Sequence, residues 1–466
     1  VRRRALLFGA LALAGCADRE AEERARVEAA RARDAAAREL LGRLEEPDAF
    51  AKVVELGAAG PVVEATAPGN PERTRRLACL ALGRIGGETA RDRLLELLAA
   101  PTPEPQKDGA LRLYAAAGLT TLADPGTAVD LVLQLSTVNP NDNVAALAAE
   151  GQPGRDYYTV DAQICDALLT MGLWTAEDEL VAQLRRHDYV RVLIDAHAAL
   201  RRHTGIDLPF RYNGSYATRE RDADAWSKRL KETRPARESA RPFDASNERF
   251  RARMADLIGL LGGQSVNDRY IAEKALVRLG PPAVPFLVGA LERGTPSAQR
   301  EAALVLGRIG DAKAAPALRA ALGLADGKAR ARAIEALRVI GDRGAAAAAA
   351  ARLADDDPEV RGEAAGLLGD LGDASHADAL RAALARETAP GTRARIVCAL
   401  AVLGDEEVVE HVLKLFEKGE QLEREAARDA LRRLDPAFDG DPLAPEEERA
   451  AAAERFRARR AEKRGK

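Results

Sequence analysis

The residues of this 466-residue chain that could do chemistry are few and scattered. The five histidines, His187, His197, His203, His376 and His411, form no His-x-x-x-His pair and no His-Glu dipeptide, the spacings that set metal ligands on one helix face. Four cysteines are too few for a disulfide-stapled scaffold, and no Cys-x-x-Cys pair exists. Cys79, Cys165 and Cys398 lie on apolar helical faces beside small residues, the setting of an inert buried thiol. Gly323-Leu324-Ala325-Asp326-Gly327-Lys328 approaches a phosphate loop. It lacks one residue, has Ala329 in place of Ser or Thr, and follows no strand. Asn213-Gly214-Ser215 is a glycosylation sequon by pattern alone. No catalytic residue, no metal-ligand set and no cofactor is expected.

Cys16 is different. The chain opens with Arg2-Arg3-Arg4, runs apolar from Ala5 to Ala14, and then reads Leu13-Ala14-Gly15-Cys16. A basic start, a ten-residue apolar core and small residues at the end are the parts of an export signal. About 20 apolar residues would be needed to span a bilayer. The tetrad resembles the lipobox of bacterial lipoproteins. That resemblance implies a signal peptide over 1–15, lipid on Cys16, and an exported chain anchored at the cell envelope, on the periplasmic face of the inner or outer membrane. Two or more acyl chains on one residue anchor stably. Arg3-Arg4-Ala5-Leu6-Leu7 also resembles a twin-arginine signal in miniature. Residues 16–36, rich in Ala, Arg and Glu, read as a charged helical tether that lifts the body off the membrane.

Composition narrows the rest. There are 70 Lys+Arg against 73 Asp+Glu, a net charge of −3, with 47% hydrophobic and 4% aromatic residues. That charge density excludes a multi-span membrane protein, and the apolar share excludes wholesale disorder. Near-neutrality gives no reason to expect a nucleic-acid partner. Few aromatics and many Ala, Leu and Val residues suit packed short helices.

The elements that position these residues repeat. Gly280, Gly310, Gly341, Gly372 and Gly404, with Asp435 in the equivalent slot, are separated by 30, 31, 31, 32 and 31 residues. Eight before the anchors stand Ala272, Ala302, Ala333, Ala364, Ile396 and Ala427, and four before stand Leu276, Leu306, Leu337, Leu368, Leu400 and Leu431. A leucine or isoleucine precedes each anchor directly. Offsets of −8, −4 and −1 share one helix face. The glycine supplies the left-handed residue past the helix end, and Asp311, Asp342, Asp373 and Asp405 are placed to cap the next helix. Each unit is predicted to be helix, tight turn, helix, with an Ala slot where two helices approach.

Eleven before the anchors lie Arg269, Arg330, Arg361, Arg393 and Arg424, while Gln299 takes that slot once with Arg300 beside it. Stacking turns these residues into a ladder along one edge. One reading is structural, each arginine bonding a turn carboxylate or carbonyl in an adjacent unit; the other is an anion-binding stripe. The structural reading is preferred, since stacking requires a recurring position in every unit. The N-terminal half has the same signature: Gly57 follows Ala49, Val53 and Leu56, and Gly86 follows Arg75, Ala78, Leu82 and Ile85. Two arrays, 37–205 and 254–436, joined by 206–253, describe the body.

Segments such as Arg361-Gly362-Glu363-Ala364-Ala365-Gly366-Leu367-Leu368-Gly369-Asp370-Leu371-Gly372-Asp373 and Ala302-Ala303-Leu304-Val305-Leu306-Gly307-Arg308-Ile309-Gly310-Asp311 resemble HEAT repeats of the short, phycobilisome-lyase-like type. The resemblance covers most of 37–436 and is strongest after 254. It implies an all-α fold, an α-solenoid of stacked helix-turn-helix repeats in two arrays. It also implies protein–protein interaction rather than any particular chemistry. The di-iron HEAT hydroxylases carry metal sites that resemble paired His-Glu motifs, and this sequence has no such dipeptide. Thr204-Gly205-Ile206-Asp207 followed by Asp224-Ala225-Trp226 is similar to a closing segment found after such arrays in bacterial HEAT proteins.

The period breaks over 136–161 and 206–250, where Pro209, Pro235 and Pro242 discourage continuous helix. Tyr157, Tyr158, Tyr212, Tyr216 and Trp226 gather there and are the candidate partner-binding residues. The competing reading is that they pin irregular loops onto the solenoid. The last helix, from Glu446, ends with two acids and seven bases over 454–466, a net of +5. It reads as a solvated, fraying helix, and the sharper alternative is contact with anionic lipid or an acidic partner.

The expectation is a non-enzymatic, membrane-tethered scaffold that binds proteins at the bacterial cell envelope. A HEAT-derived enzyme, lyase- or hydroxylase-like with an unrecognised site, is the second reading. A DNA-binding solenoid is the third.

Overall fold

A computed structural model describes residues 2–100, 105–137, 160–186 and 190–464. Among the described residues every regular element is an α-helix or a 3₁₀ turn. The chain divides into two compact units, Val1–Arg253 and Met254–Lys466.

In the second unit the long helices Val266–Leu279, Pro296–Ile309, Gly327–Ile340, Pro358–Leu371, Pro390–Val402 and Gln421–Leu434 stack, each on the next. The shorter helices Val284–Arg293, Ala315–Ala321, Ala346–Arg352, Ala377–Leu384 and Val409–Lys418 form a second layer against them. The spacing explains the burial. Leu306, Leu337, Leu368 and Leu400 are fully buried, as are Ala302, Ala333, Ala364 and Ile396. Gly310, Gly341 and Gly372 end their helices at φ of 71°, 74° and 69°, where a Cβ would be strained. The aspartates that follow accept backbone N–H groups two residues on at 2.9–3.2 Å. They cap a three-residue 3₁₀ turn rather than the next α-helix directly.

A second contact point joins the Ala slot. A Cβ on Gly307 would stand 3.0 Å from Ala336 Cα, and one on Gly369 would stand 3.0 Å from Ala399 Cα. Successive long helices therefore touch backbone to backbone three residues before the anchor. Asp435 departs from the glycine pattern. Its φ is −145°, and the chain leaves extended toward the helix Glu446–Arg464.

The first unit begins with the helix Arg2–Leu41 and ends its regular run with Tyr216–Ala240. Its tightest contact joins Glu72–Ile85 to Pro105–Leu122, where a Cβ on Gly83 would stand 2.7 Å from Gly118 Cα. Pro235 lies inside the helix Tyr216–Ala240, which corrects the expected break. Arg234 and Arg237, on either side of it, both bond Glu177, and these tertiary bonds hold the helix across the missing N–H donor.

Candidate partner-binding surfaces

Each ladder arginine stands fourth in its helix, where its side chain reaches back over the preceding turn. Arg269 donates to the carbonyls of Gly263 and Gln264 at 2.8 and 2.9 Å. Arg330 does the same to Leu324 and Ala325 at 2.8 and 2.9 Å, and Arg361 to Asp355 and Asp356 at 2.8 and 3.1 Å. Two of them also reach forward. Arg330 forks onto Asp355 at 2.5 and 2.9 Å, and Arg361 onto Glu387 at 2.7 and 2.8 Å. Arg300, beside the Gln299 slot, pairs with Asp326 at 3.3 Å. Arg393 bonds Leu384 O at 3.1 Å, Arg424 bonds Gly419 O at 2.9 Å and Pro442 O at 2.8 Å, and Arg75 bonds Thr66 O at 3.2 Å. These guanidiniums are spent on turns. The Arg361 fork, against the opposing effect of burial, holds the Glu387 carboxyl down at about 2.

The aromatic candidates separate. Tyr157 and Tyr158 lie outside the described residues. Trp226 is fully buried, which corrects its assignment to a binding surface. It packs edge-on against His197 with ring centroids 5.4 Å apart, and Phe210 and Tyr212 complete the cluster. His197 Nε2–H donates to the Leu208 carbonyl at 2.8 Å, so Nδ1 accepts from the Tyr212 hydroxyl at 2.5 Å. Burial pushes the His197 pKa down, which suits this neutral ring. Tyr212 is thus half-buried and engaged, whereas Tyr216 is 64% exposed with its hydroxyl donating to Glu220 at 3.1 Å. Trp174, also buried, donates Nε1–H to Arg241 O at 3.0 Å under the Arg237 and Arg241 guanidiniums. Trp174, Tyr212 and Trp226 are thus held in the packing, whereas Tyr216 is not.

The C-terminal helix is not solvated throughout. Ala452, Ala453 and Phe456 are buried in a cluster with Phe416 and Phe438. Arg449 repeats the ladder geometry: it is fourth in its helix and bonds the Ala444 carbonyl and, at 2.8 and 3.0 Å, Glu417 O. Arg455 pairs with Asp439, Arg457 with Glu410 and Glu417, Arg459 with Asp435 and Arg460 with Glu406. The expected free basic surface is corrected for these four side chains, because neighbouring carboxylates neutralise them. The side chains of Lys463, Arg464 and Lys466 lie outside the described residues.

Burial pushes the Cys79 and Cys398 thiols up to about 12, so neither is a thiolate at neutral pH. The Cys16 side chain lies outside the described residues. Among the described residues no group of three or more His, Cys, Asp or Glu side chains could hold a metal, and no single helix is long and apolar enough to cross a membrane.

A groove of about 250 Å³ opens on the long-helix layer of the second unit. Gly362, Gly366 and Gly369 fall on one face of Pro358–Leu371, where Arg395 lies against Gly362, Arg338 against Gly366 and Ala399 against Gly369. Arg395 pairs with Glu363, Arg433 with Asp370, and Arg338 lies 3.8 Å from both carboxylates. Sequence reasoning passed over this groove, although three glycines spaced i, i+4 and i+7 on one helix were its signal.

These stacked helix pairs define an α-solenoid class of repeat protein. The family described as HEAT repeats matches residues 245–338 and 345–432. No curated protein matches the sequence. Among solved structures, human deoxyhypusine hydroxylase in complex with glycerol is similar at 18% identity, with 67% of this chain and 95% of that one covered and a TM-score of 0.23. Kap121p bound to Pho4p is similar at 10% identity, with 89% and 47% covered and a TM-score of 0.32. Kap121p bound to Nup53p is similar at 11%, with 86% and 49% covered and a TM-score of 0.31. The chain spans about half the length of the Kap121p chains.

Proposed function

We propose that this protein is a non-catalytic HEAT-repeat scaffold, of the short phycobilisome-lyase-like type, that holds partner proteins at the bacterial cell envelope through lipid on Cys16. The observation that carries the reading is how the repeat chemistry is used. The arginine ladder bonds turns and the Cys79, Cys165 and Cys398 thiols are buried, while the long-helix layer keeps an open groove rimmed by Leu422, which is 75% exposed. A repeat array of this kind offers surface rather than a reactive centre. The lipobox-like tetrad supports anchoring. Crosslinking and co-purification on the lipidated protein test the scaffold reading, and a stoichiometric protein partner is the expected result. Metabolic labelling with a fatty acid tests the anchor: Cys16→Ser should lose the label, and an unlabelled, cytosolic wild-type protein would sink it.

A further inference from the structure

One rung of the arginine ladder is incomplete. Asp355 and Glu387, which take the forks of Arg330 and Arg361, stand 17 residues before the anchors Gly372 and Gly404. The same count back from Asp435 reaches Lys418. The forward position of the next ladder arginine, Arg393, is therefore held by a cation instead of an acid. Arg393 is exposed and donates to Leu384 O at 3.1 Å, and among the described residues it forms no ion pair. Lys418 and Arg386, both exposed, form none either. The nearest acids in sequence are committed elsewhere. Asp357, 15 residues before its anchor, caps its own helix and leaves the fork to Asp355. Glu420 holds that same place before Asp435 and caps Gln421–Leu434 in a box with Glu423. At the first rung, where the forward position is also basic, Arg293 pairs with its neighbour Glu292 at 3.0 Å.

We propose that a carboxylate from a partner protein completes the Arg393 rung. An aspartate or glutamate in an exposed acidic segment takes the fork of Arg393, as Asp355 takes that of Arg330, with Lys418 as the second cation. The planar guanidinium offers two parallel N–H groups that match a carboxylate, and the two preceding rungs show the pairing made within this chain. The chain as a whole carries a net charge of −3, so its overall field does not favour acidic peptides and any preference for them is local. The inference rests on the scaffold reading and deepens it by naming the chemistry of the partner.

The test is fluorescence anisotropy on the full chain with two dye-labelled Gly/Ser decapeptides, one carrying three consecutive glutamates and the other three glutamines. The glutamate peptide should bind about fivefold tighter at low salt, and the preference should shrink at high salt. Arg393→Gln and Lys418→Glu should each erase it. Lys418→Glu also supplies the missing acid in the chain itself, so it should raise the urea midpoint with Arg393 present and fail to raise it beside Arg393→Gln. Should Arg393→Gln unfold, Lys418→Glu alone carries both readouts. Equal binding of the two peptides, a preference that survives the substitutions, or a Lys418→Glu midpoint no higher than wild type overturns the inference. Each of those results together with a protein partner recovered by crosslinking leaves the scaffold reading standing. Failure of crosslinking to recover any partner counts against the scaffold reading instead.

Discussion

Arg361 grips Glu387 through Nε at 2.7 Å and Nη2 at 2.8 Å across 26 residues, while its Nη1 holds the carbonyls of Asp355 and Asp356 behind it. One side chain thereby ties the turn before its helix to the turn of the next unit. Asp355 in turn takes the fork of Arg330, so consecutive turns are linked in series.

Removing the cation from this link should be severe. The Glu387 side chain is 1% exposed, and Arg361→Ala leaves its charge buried without a cation, held only by the Thr388 and Ala389 N–H groups. The expected loss is ~3–5 kcal/mol, read as the urea midpoint of the second unit. Glu387→Gln should cost less, since its amide oxygen still accepts a hydrogen bond.

The same pair predicts a pH dependence. Glu387 is held at about 2 in the folded chain against an ordinary 4.5, so the folded state binds fewer protons. Its stabilisation is fully present above about pH 4.5 and fades as pH falls toward 2. The gap in urea midpoint between wild type and Glu387→Gln should therefore narrow from pH 7 to pH 2.5. An unchanged gap would falsify the assignment.

Gly83→Ala should loosen the first unit, because the new Cβ would stand 2.7 Å from Gly118 Cα, against its carbonyl oxygen as well, and the helices must separate. A cost of ~1–3 kcal/mol is expected, with lost hydrogen-exchange protection concentrated in Glu72–Ile85.

The aromatic residues should divide by role. Trp226→Ala empties a fully buried site beside His197 and should cost ~3–5 kcal/mol. Tyr216→Ala, at a 64% exposed position, should change stability by less than ~0.5 kcal/mol. Calorimetry on the two variants checks this, and equal melting temperatures would contradict the buried cluster.

Cys79 and Cys398, held near 12 by burial, should resist a thiol reagent at pH 8 in the native protein and react fully in denaturant. Rapid native labelling at either position, located by mass spectrometry, would contradict the packing.

Much of this was legible from spacing. The anchors Gly310, Gly341 and Gly372 and the leucines four before them announce helix ends and a buried face, because both follow from local backbone geometry. The ladder arginines were legible as a recurring position, but their partners were not. Arg361 finds Glu387 and Arg330 finds Asp355 only once two turns stand side by side. Composition read the C-terminal helix as solvated because its charges are local, while the carboxylates that neutralise Arg457 lie 40 and 47 residues away. Trp226 looked like a contact residue by type and proved to be core. The groove depended on folding most of all. A Gly-rich helix face, the Arg395–Glu363 and Arg433–Asp370 pairs and an exposed Leu422 come together only through stacking. Periodicity alone therefore determined helices, repeat length and buried face. Tertiary structure decided which charges cancel and which remain open, because pairing depends on distances the linear sequence does not contain.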